Sequence, residues 1–375
     1  MNPLIQKTSL LLLLALLFPG QIVGLPVAGL YSHEVAVTSQ SDAERNLAFR
    51  EALQAVLLKV TGEQRWLENS AIQQALDNAQ SYVEAINPRT ETLTVTNPAT
   101  AQVSDLGLAD VPATIQIQQD YINVIFARDL IDRLLTNAAI PVWDSNRPSV
   151  LVWMALQNDA GDRSLLSNET NPEIINLMQE FATERGLPII FPLLDFEDRQ
   201  NLSADMIWSL DEEAITEASQ RYGADSVLSG RLHFTASGDL VGLWQFIFQN
   251  QVEVFDSFDT DLQSYIHQPL NRITSELAEH FAIIVSLSGN QKVKLRVQGV
   301  RDLASYSNLL SYLQSLVLVE SVGISKLQGE DLELELTLQG DQLQLAELIA
   351  LDRDLLPLTN SSGESRSILS YRWTR

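Results

Sequence analysis

The sequence predicts a mixed α/β and α+β chain: a signal peptide, two mixed α/β domains and a ferredoxin-like βαββαβ domain at the carboxyl end. Three observations carry this. A short apolar run preceded by a lysine opens the chain. Between 149 and 284, apolar strands alternate with amphipathic helices, the mark of an α/β layer with some parallel pairing. From 292 to 373 the order is strand, helix, strand, strand, helix, strand, the split βαβ unit. The boundaries fall at 1–24 for the signal peptide, 25–146 for the N-terminal domain, 147–288 for the central domain and 289–375 for the ferredoxin-like domain. At 375 residues, 45% hydrophobic and 19% charged, the chain can build several cores and has the composition of a folding sequence.

The leader has Lys7 as its positive region, Ser9–Phe18 as its apolar run, a break at Pro19-Gly20, and small residues at Gly24, Ala28 and Gly29. This is the pattern of a secretory signal peptide, with cleavage expected between Gly24 and Gly29. The apolar run is too short to span a bilayer comfortably; the alternative is an uncleaved amino-terminal anchor. No Arg-Arg pair precedes the run, which argues against twin-arginine export. No later stretch is apolar enough to cross a membrane, so the expected location is the periplasm, with no transmembrane helix after cleavage. There is no cysteine. Disulfides, thiolate metal sites, a cysteine nucleophile and a lipidated amino-terminal cysteine are thereby excluded. The net charge is −24, and loss of a leader with Lys7 and no acid brings it near −25. Such a chain repels phosphate backbones, and no basic patch is evident, so no nucleic-acid partner is expected.

Leu30–Val37 reads as a strand. Ser41 and Glu44 have capping-box spacing, and Phe49, Ala52, Leu53, Val56, Leu57 and Val60 share one helical face before Thr61-Gly62 ends the helix. Ser70–Ile86 is expected to be a second helix. Thr90–Thr96 and Thr114–Ala127 read as strands around a polar loop, 97–112, and Arg128–Ala138 as a short helix. Prolines and turn residues over Ile140–Pro148 place a boundary near Asn146. Ser149–Leu156 is apolar throughout, as in a strand buried on both faces. A helix over Pro172–Arg185, a strand over Leu187–Leu194, an acidic loop and a helix over Asp211–Tyr222 follow. Strands at Ser226–Phe234, Leu240–Phe248 and Val252–Phe258 precede a helix over Asp261–Ile284. In the last segment Lys292–Val300 and Asp331–Leu338 alternate cleanly. A ferredoxin-like sheet places them side by side, with Lys292, Lys294 and Arg296 facing Glu333 and Glu335.

The stretch Arg221–Leu232, RYGADSVLSGRL, has the glycines and polar residues of a ligand loop but the wrong polarity. Gly223 follows a helix and precedes a strand, whereas a phosphate loop runs from strand to helix amino terminus. It reads as a structural joint, with Gly223 at a helix end in the left-handed conformation. No phosphate loop, dinucleotide fingerprint, nucleophile elbow or zincin motif occurs. His33, His233, His267 and His280 lie on separate elements. Asp256, Asp259 and Asp261 lack calcium-loop spacing; Asp259 or Asp261 is expected to cap the helix that follows. Asp195–Asp198 reads as a loop, and Asp211–Glu213 as a first helical turn. Accordingly no catalytic, cofactor-binding or metal residue is nominated, and no cofactor is expected.

Four stretches, Glu44–Gly62, Ile140–Leu156, Arg221–Leu232 and Val297–Leu316, occur in the order found in an uncharacterised family of exported proteobacterial proteins, domain of unknown function two-zero-six-six, which the chain resembles over nearly its whole length after the leader. That family implies no activity. More loosely, the first helix resembles the amino-terminal domain of periplasmic flagellar-assembly proteins, and the central segment is similar to α/β domains of the Tol and curli secretion systems, which are protein-binding modules. The expectation is a non-enzymatic binding or assembly factor of the cell envelope with an envelope protein as partner. The alternatives are a carboxylate-dependent envelope hydrolase and a small-molecule binder with its site between the first two domains. A concave polar pocket favours those; an exposed apolar patch favours the assembly factor.

Overall fold

A computed structural model describes residues 27–39, 41–96, 114–158, 160–284, 291–351, 354–358 and 368–374. The expected signal peptide and the 97–112 loop lie outside these residues. The first unit comprises β1 (Ser32–Val37), α1 (Asp42–Thr61), α2 (Ser70–Asp77), β2 (Val83–Thr96), β3 (Thr114–Phe126) and α3 (Arg128–Asn137). Its antiparallel sheet has the order β1-β3-β2. The Ser41 side chain accepts from Glu44 N, while the Glu44 carboxylate turns back to Thr38 N and Oγ1 at 2.8 and 2.7 Å. Gly62 closes α1 at φ 72°, its N–H bonded to Leu58 O. The expected helical face is buried, from Phe49 to Val60.

The helix expected over Ser70–Ile86 stops at Asp77, a 3₁₀ turn covers Ala79–Tyr82, and β2 starts at Val83. Ile72, Ala75, Leu76 and Ala79 do pack into the core, but Ile86 is the cross-strand neighbour of Val124. A long-range backbone ladder beats a helical spacing that continues by chance, because β propensity is set by the neighbouring strand.

The central unit holds β4 (Val150–Gln157), β5 (Arg163–Leu165), α4 (Pro172–Arg185), β6 (Ile189–Ile190), α5 (Phe196–Asn201), α6 (Ala204–Ser209), α7 (Glu212–Ser219), β7 (Ser226–Phe234), β8 (Leu240–Phe248), β9 (Gln251–Asp259) and α8 (Leu262–Phe281). The sheet runs β5-β4-β7-β8-β9, with β6 also on β4. β4 is parallel to β6 and β7; β8 and β9 are antiparallel additions. As the all-apolar pattern requires, β4 is buried on both faces. Its even-numbered side chains meet Met178, Phe181 and Leu270 of α4 and α8. Its odd-numbered ones meet Ile207, Ile215 and Ala218 of α6 and α7. The acidic loop of the sequence reading is in fact two short helices, α5 and α6, with Asp195 and Ser203 as N-caps. The helix expected over Asp211–Tyr222 is α7 followed by a 3₁₀ turn at Gln220–Tyr222.

The last unit has β10 (Gln291–Gln298), α9 (Leu303–Ser315), β11 (Val319–Gln328), β12 (Asp331–Leu338), α10 (Gln342–Leu351), β13 (Leu355–Pro357) and β14 (Ile368–Trp373). The order β11-β12-β10-β14-β13 is that of a split βαβ sheet with a short extra edge strand. β10 and β12 pair antiparallel, Lys294 opposite Glu335 and Arg296 opposite Glu333. Lys292 Nζ reaches Glu335 at 2.7 Å and Arg296 reaches Glu333 at 3.0 Å. Leu332, Leu334, Leu336 and Leu338 are fully buried on the other face.

The stretch Trp143–Arg147, where a boundary near Asn146 is expected, is largely buried. Trp143, Asp144 and Arg147 are buried. Arg147 donates to Lys59 O of α1 at 2.6 Å and to Arg185 O and Gly186 O at the end of α4 at 2.8 and 3.1 Å, as well as to Trp143 O and Asp144 O. Two helix carboxyl ends therefore converge on one guanidinium, where their partial negative charge favours it. Asp144 Oδ2 accepts from Val317 N at 2.7 Å, and Asn146 Nδ2 donates to Leu348 O at 2.7 Å. Five residues thus fasten all three units.

Candidate interaction surface

The stretch RYGADSVLSGRL is a joint throughout. Gly223 ends the 3₁₀ turn at φ 57°, its N–H bonded to Gln220 O. Asp225 turns to β4: its Oδ2 accepts from Ser149 N and Oγ at 2.7 and 2.8 Å. Gly230 sits in β7 under the Trp244 ring, and a Cβ there would fall inside the indole. Gly223, Asp225 and Gly230 are thus used for backbone geometry and packing.

The acidic clusters are also occupied. Asp195 accepts two bonds from Arg221, both at 2.8 Å, and one from Asp198 N at 3.0 Å. Arg221 holds its carboxyl at about 2, well below the ordinary range. Buried Asp198 accepts from Arg221, from Leu194 N and from the Tyr222 hydroxyl. Burial and that bond raise the Tyr222 phenol well above its ordinary value. A carboxyl held this low carries no proton to give near neutrality, so Asp195 is unsuited to general acid work. Asp211 caps α7 and Asp261 caps α8. Against the expectation of four separate elements, His267 and His280 share α8, while His33 lies on β1 and His233 on β7. Among the described residues no cluster of His, Asp and Glu is placed to hold a metal ion.

A cleft of about 730 Å³ does open between the first two units, lined by His33, Glu34, Lys59, Arg89 and Glu184. Arg89, Glu34 and Lys59 are engaged within the protein. Arg89 is bidentate to Glu34 at 2.8 and 3.0 Å, and Lys59 Nζ donates to Gly29 O and Ser32 O at 3.4 and 3.2 Å. Burial and the nearby Lys59 cation push the His33 imidazole below its usual value.

One apolar surface is left uncovered. In the central sheet α4 and α8 cover one face. On the other, α6 and α7 extend over β5, β4 and β7 but leave much of β8 and β9 bare. There Val241 and Leu243 of β8 lie beside Phe258 and Asp256 of β9, with Val254 and Val252 farther along. Val241 is 41%, Val254 51% and Phe258 58% exposed, and Val252 37%. Arg231 neighbours Leu243 across β7 and β8 and donates to Trp208 O at 2.7 Å. Arg231 and Arg163 stand over the Trp208 ring at 5.5 and 4.5 Å from its centre. A largely apolar row, interrupted by Asp256 and flanked by Arg231 with Trp208 beyond it, has the composition of a protein-docking surface rather than a small-molecule site, since Trp and Arg are enriched where binding energy concentrates. The sequence gives only a weak signal for it: residues 252, 254 and 258 read as ordinary inward strand positions, and only the span of the covering helices leaves them bare.

Among described residues, no helix is long and apolar enough to cross a membrane. No curated protein matches the chain. Among solved structures, a competence-damaged protein (CinA) superfamily protein from Klebsiella pneumoniae is similar at 15% identity, covering 40% of this chain and 91% of that one, with a TM-score of 0.22. The competence damage-inducible protein A of Klebsiella pneumoniae subsp. pneumoniae gives 14% identity, the same coverages and 0.22. At such scores neither fold nor activity carries over. Residues 25–144, the first unit, match a family described as a domain of unknown function (DUF8605).

Proposed function

We propose that the protein is a non-enzymatic binding or assembly factor of the cell envelope, exported to the periplasm by its amino-terminal leader, and that it docks an envelope protein on the bare half of the central sheet. The observation that carries this reading is the row Val241, Val254 and Phe258, exposed by 41 to 58% in a chain that is otherwise strongly acidic. Exposed apolar side chains gathered on one face, here interrupted by Asp256, cost solubility and are kept where a partner covers them. The leader pattern of Lys7, the apolar run Ser9–Phe18 and the small residues that follow supports the compartment. The saturated Asp195–Asp198–Arg221 network speaks against the hydrolase alternative, and the internally paired cleft between the first two units against the small-molecule alternative.

The test is site-specific photocrosslinking in a Gram-negative host. A photoreactive residue at Val254 should give a discrete adduct, and one at Glu213 on α7 none. Equal labelling at both positions, or none at Val254, would remove the support. Mass spectrometry of the amino terminus tests export: a chain starting between residues 25 and 30 is expected, and one starting at Met1 contradicts it.

A further inference from the structure

We infer that the partner joins this molecule as an added strand: an extended segment with a lysine or arginine between two apolar residues, at alternating positions, pairs with the free edge of β9. The inference rests on the reading that the bare half of the central sheet docks a protein, and it goes further in naming the form and chemistry of the docking segment. β9 is the last strand of its sheet. An edge strand offers its unpaired N–H and C=O groups as a template for another chain.

Which groups are free follows from the turn that precedes β9. Gln249 and Asn250, at φ 48° and 62°, form a two-residue loop between Phe248 and Gln251, the geometry of a type I′ hairpin turn. Such a loop is closed by a pair that exchanges both hydrogen bonds, so Gln251 turns its N–H and C=O inward to β8. Alternation along an antiparallel ladder then turns those of Val252, Val254, Asp256 and Phe258 outward. Phe258 agrees: its carbonyl accepts from Gln268 Nε2 at 3.2 Å. Among the described residues nothing takes the outward groups of Val252, Val254 and Asp256.

The same positions carry the exposed side chains of the bare face. Val252, Val254 and Phe258 are the exposed apolar residues of β9, and Asp256 stands exposed between the last two. An added strand meets both needs at once, with main-chain bonds for affinity and alternate side chains for selectivity. The other acids of β9 are engaged within the protein. Glu253 pairs with Arg272 of α8, and Asp259 accepts from Thr260 N, Asp261 N and Gln268 Nε2.

Asp256 selects the occupant. Among the described residues it makes no ion pair, and its neighbour across the ladder is Leu243. A wholly apolar strand laid beside β9 would strip water from this carboxylate and return nothing, which is costly for a charge. A lysine or arginine directly opposite completes the pair, and apolar residues two positions to either side then fall opposite Val254 and Phe258. A second copy does not supply this pattern. β9 has no basic residue, so β9 against β9 leaves both Asp256 side chains unmatched, and a net charge of −24 on each body opposes the approach. The same net charge favours a basic segment.

Fluorescence anisotropy on the purified protein tests this with a labelled, end-blocked peptide of sequence Thr-Val-Thr-Lys-Thr-Val-Thr, whose valines and lysine share one face when extended. It should bind at least tenfold more tightly than the same peptide with glutamate in place of lysine. Asp256→Lys should reverse that order, a swap that loss of structure does not produce. Val254→Pro removes an outward N–H, a position where an edge strand accepts proline. It should weaken binding of the lysine peptide at least tenfold while leaving the circular dichroism melt unchanged. Equal affinity for the two peptides, no binding of either, or an order untouched by Asp256→Lys would overturn the inference. The photocrosslink at Val254 keeps the two readings apart: an adduct that forms in the host while the peptides fail means a docking surface without an added strand.

Discussion

Single residues in this molecule show how a glycine or a carboxylate that looks like chemistry can be consumed by packing. Gly230 exists because Trp244 lies across β7; adding one methyl at that point must displace a fully buried indole. Gly230→Ala should therefore destabilise the protein by about 1–3 kcal/mol, the range for overpacking a filled core, read as a lower urea midpoint with unchanged slope. Asp195 gives a pH signature. Bonds from Arg221 lower its pKa from the ordinary 3.8 to about 2. The folded value lies below the unfolded one, so the stabilisation is present above about pH 4 and is lost as the pH falls toward 2. Asp195→Asn should flatten the stability profile across that interval and leave the profile above pH 5 parallel to the parent's; an unaltered slope between pH 4 and 2 would contradict the Arg221 contact.

At the scale of elements, the sequence was most readable where one periodicity met one set of end signals. α1 has its N-cap, its apolar face and its glycine stop in the expected places, and α4 spans the expected Pro172–Arg185. The alternation of β10 and β12 held because their faces divide cleanly into leucine and charge. There the apolar face must supply the stability, and the exposed charges act on register. A double-mutant cycle on Arg296 and Glu333 should give a coupling of roughly 0.2–1 kcal/mol that shrinks at high salt; a coupling of zero at low salt would contradict that role. Elements were misread where the deciding partner is far along the chain. Tyr82–Ile86 continues a helical spacing, and only the presence of β3 makes it a strand. Asp195–Ser209 looked like an acidic loop because its helices are a turn or two long, with too few residues to show a period. The docking surface was hidden for a related reason: Val254 and Phe258 are bare because α6 and α7 end short of β9, a fact about distant elements rather than about the β9 sequence.

The whole molecule is organised around the Trp143–Arg147 joint, which ties the first unit to the central sheet. Arg147→Met would leave several buried carbonyl oxygens without a donor, each worth about 1–3 kcal/mol where water does not enter. A loss of at least about 3 kcal/mol in urea unfolding is expected, with the first and central units coming apart before either melts; a single unperturbed transition would show that the joint does not hold them. With the units fixed in this way, the bare half of the central sheet is the surface that the proposed function offers to a partner. The most direct measurement is the yield of the photocrosslinked adduct at Val254 in the host, with and without Phe258→Asp. Because Phe258 is 58% exposed, its replacement should change folding stability by no more than about 0.5 kcal/mol, the range for surface substitutions. If a partner docks on this face, the adduct should fall at least tenfold in the variant. An adduct of undiminished yield in a stably folded Phe258→Asp protein would contradict the account.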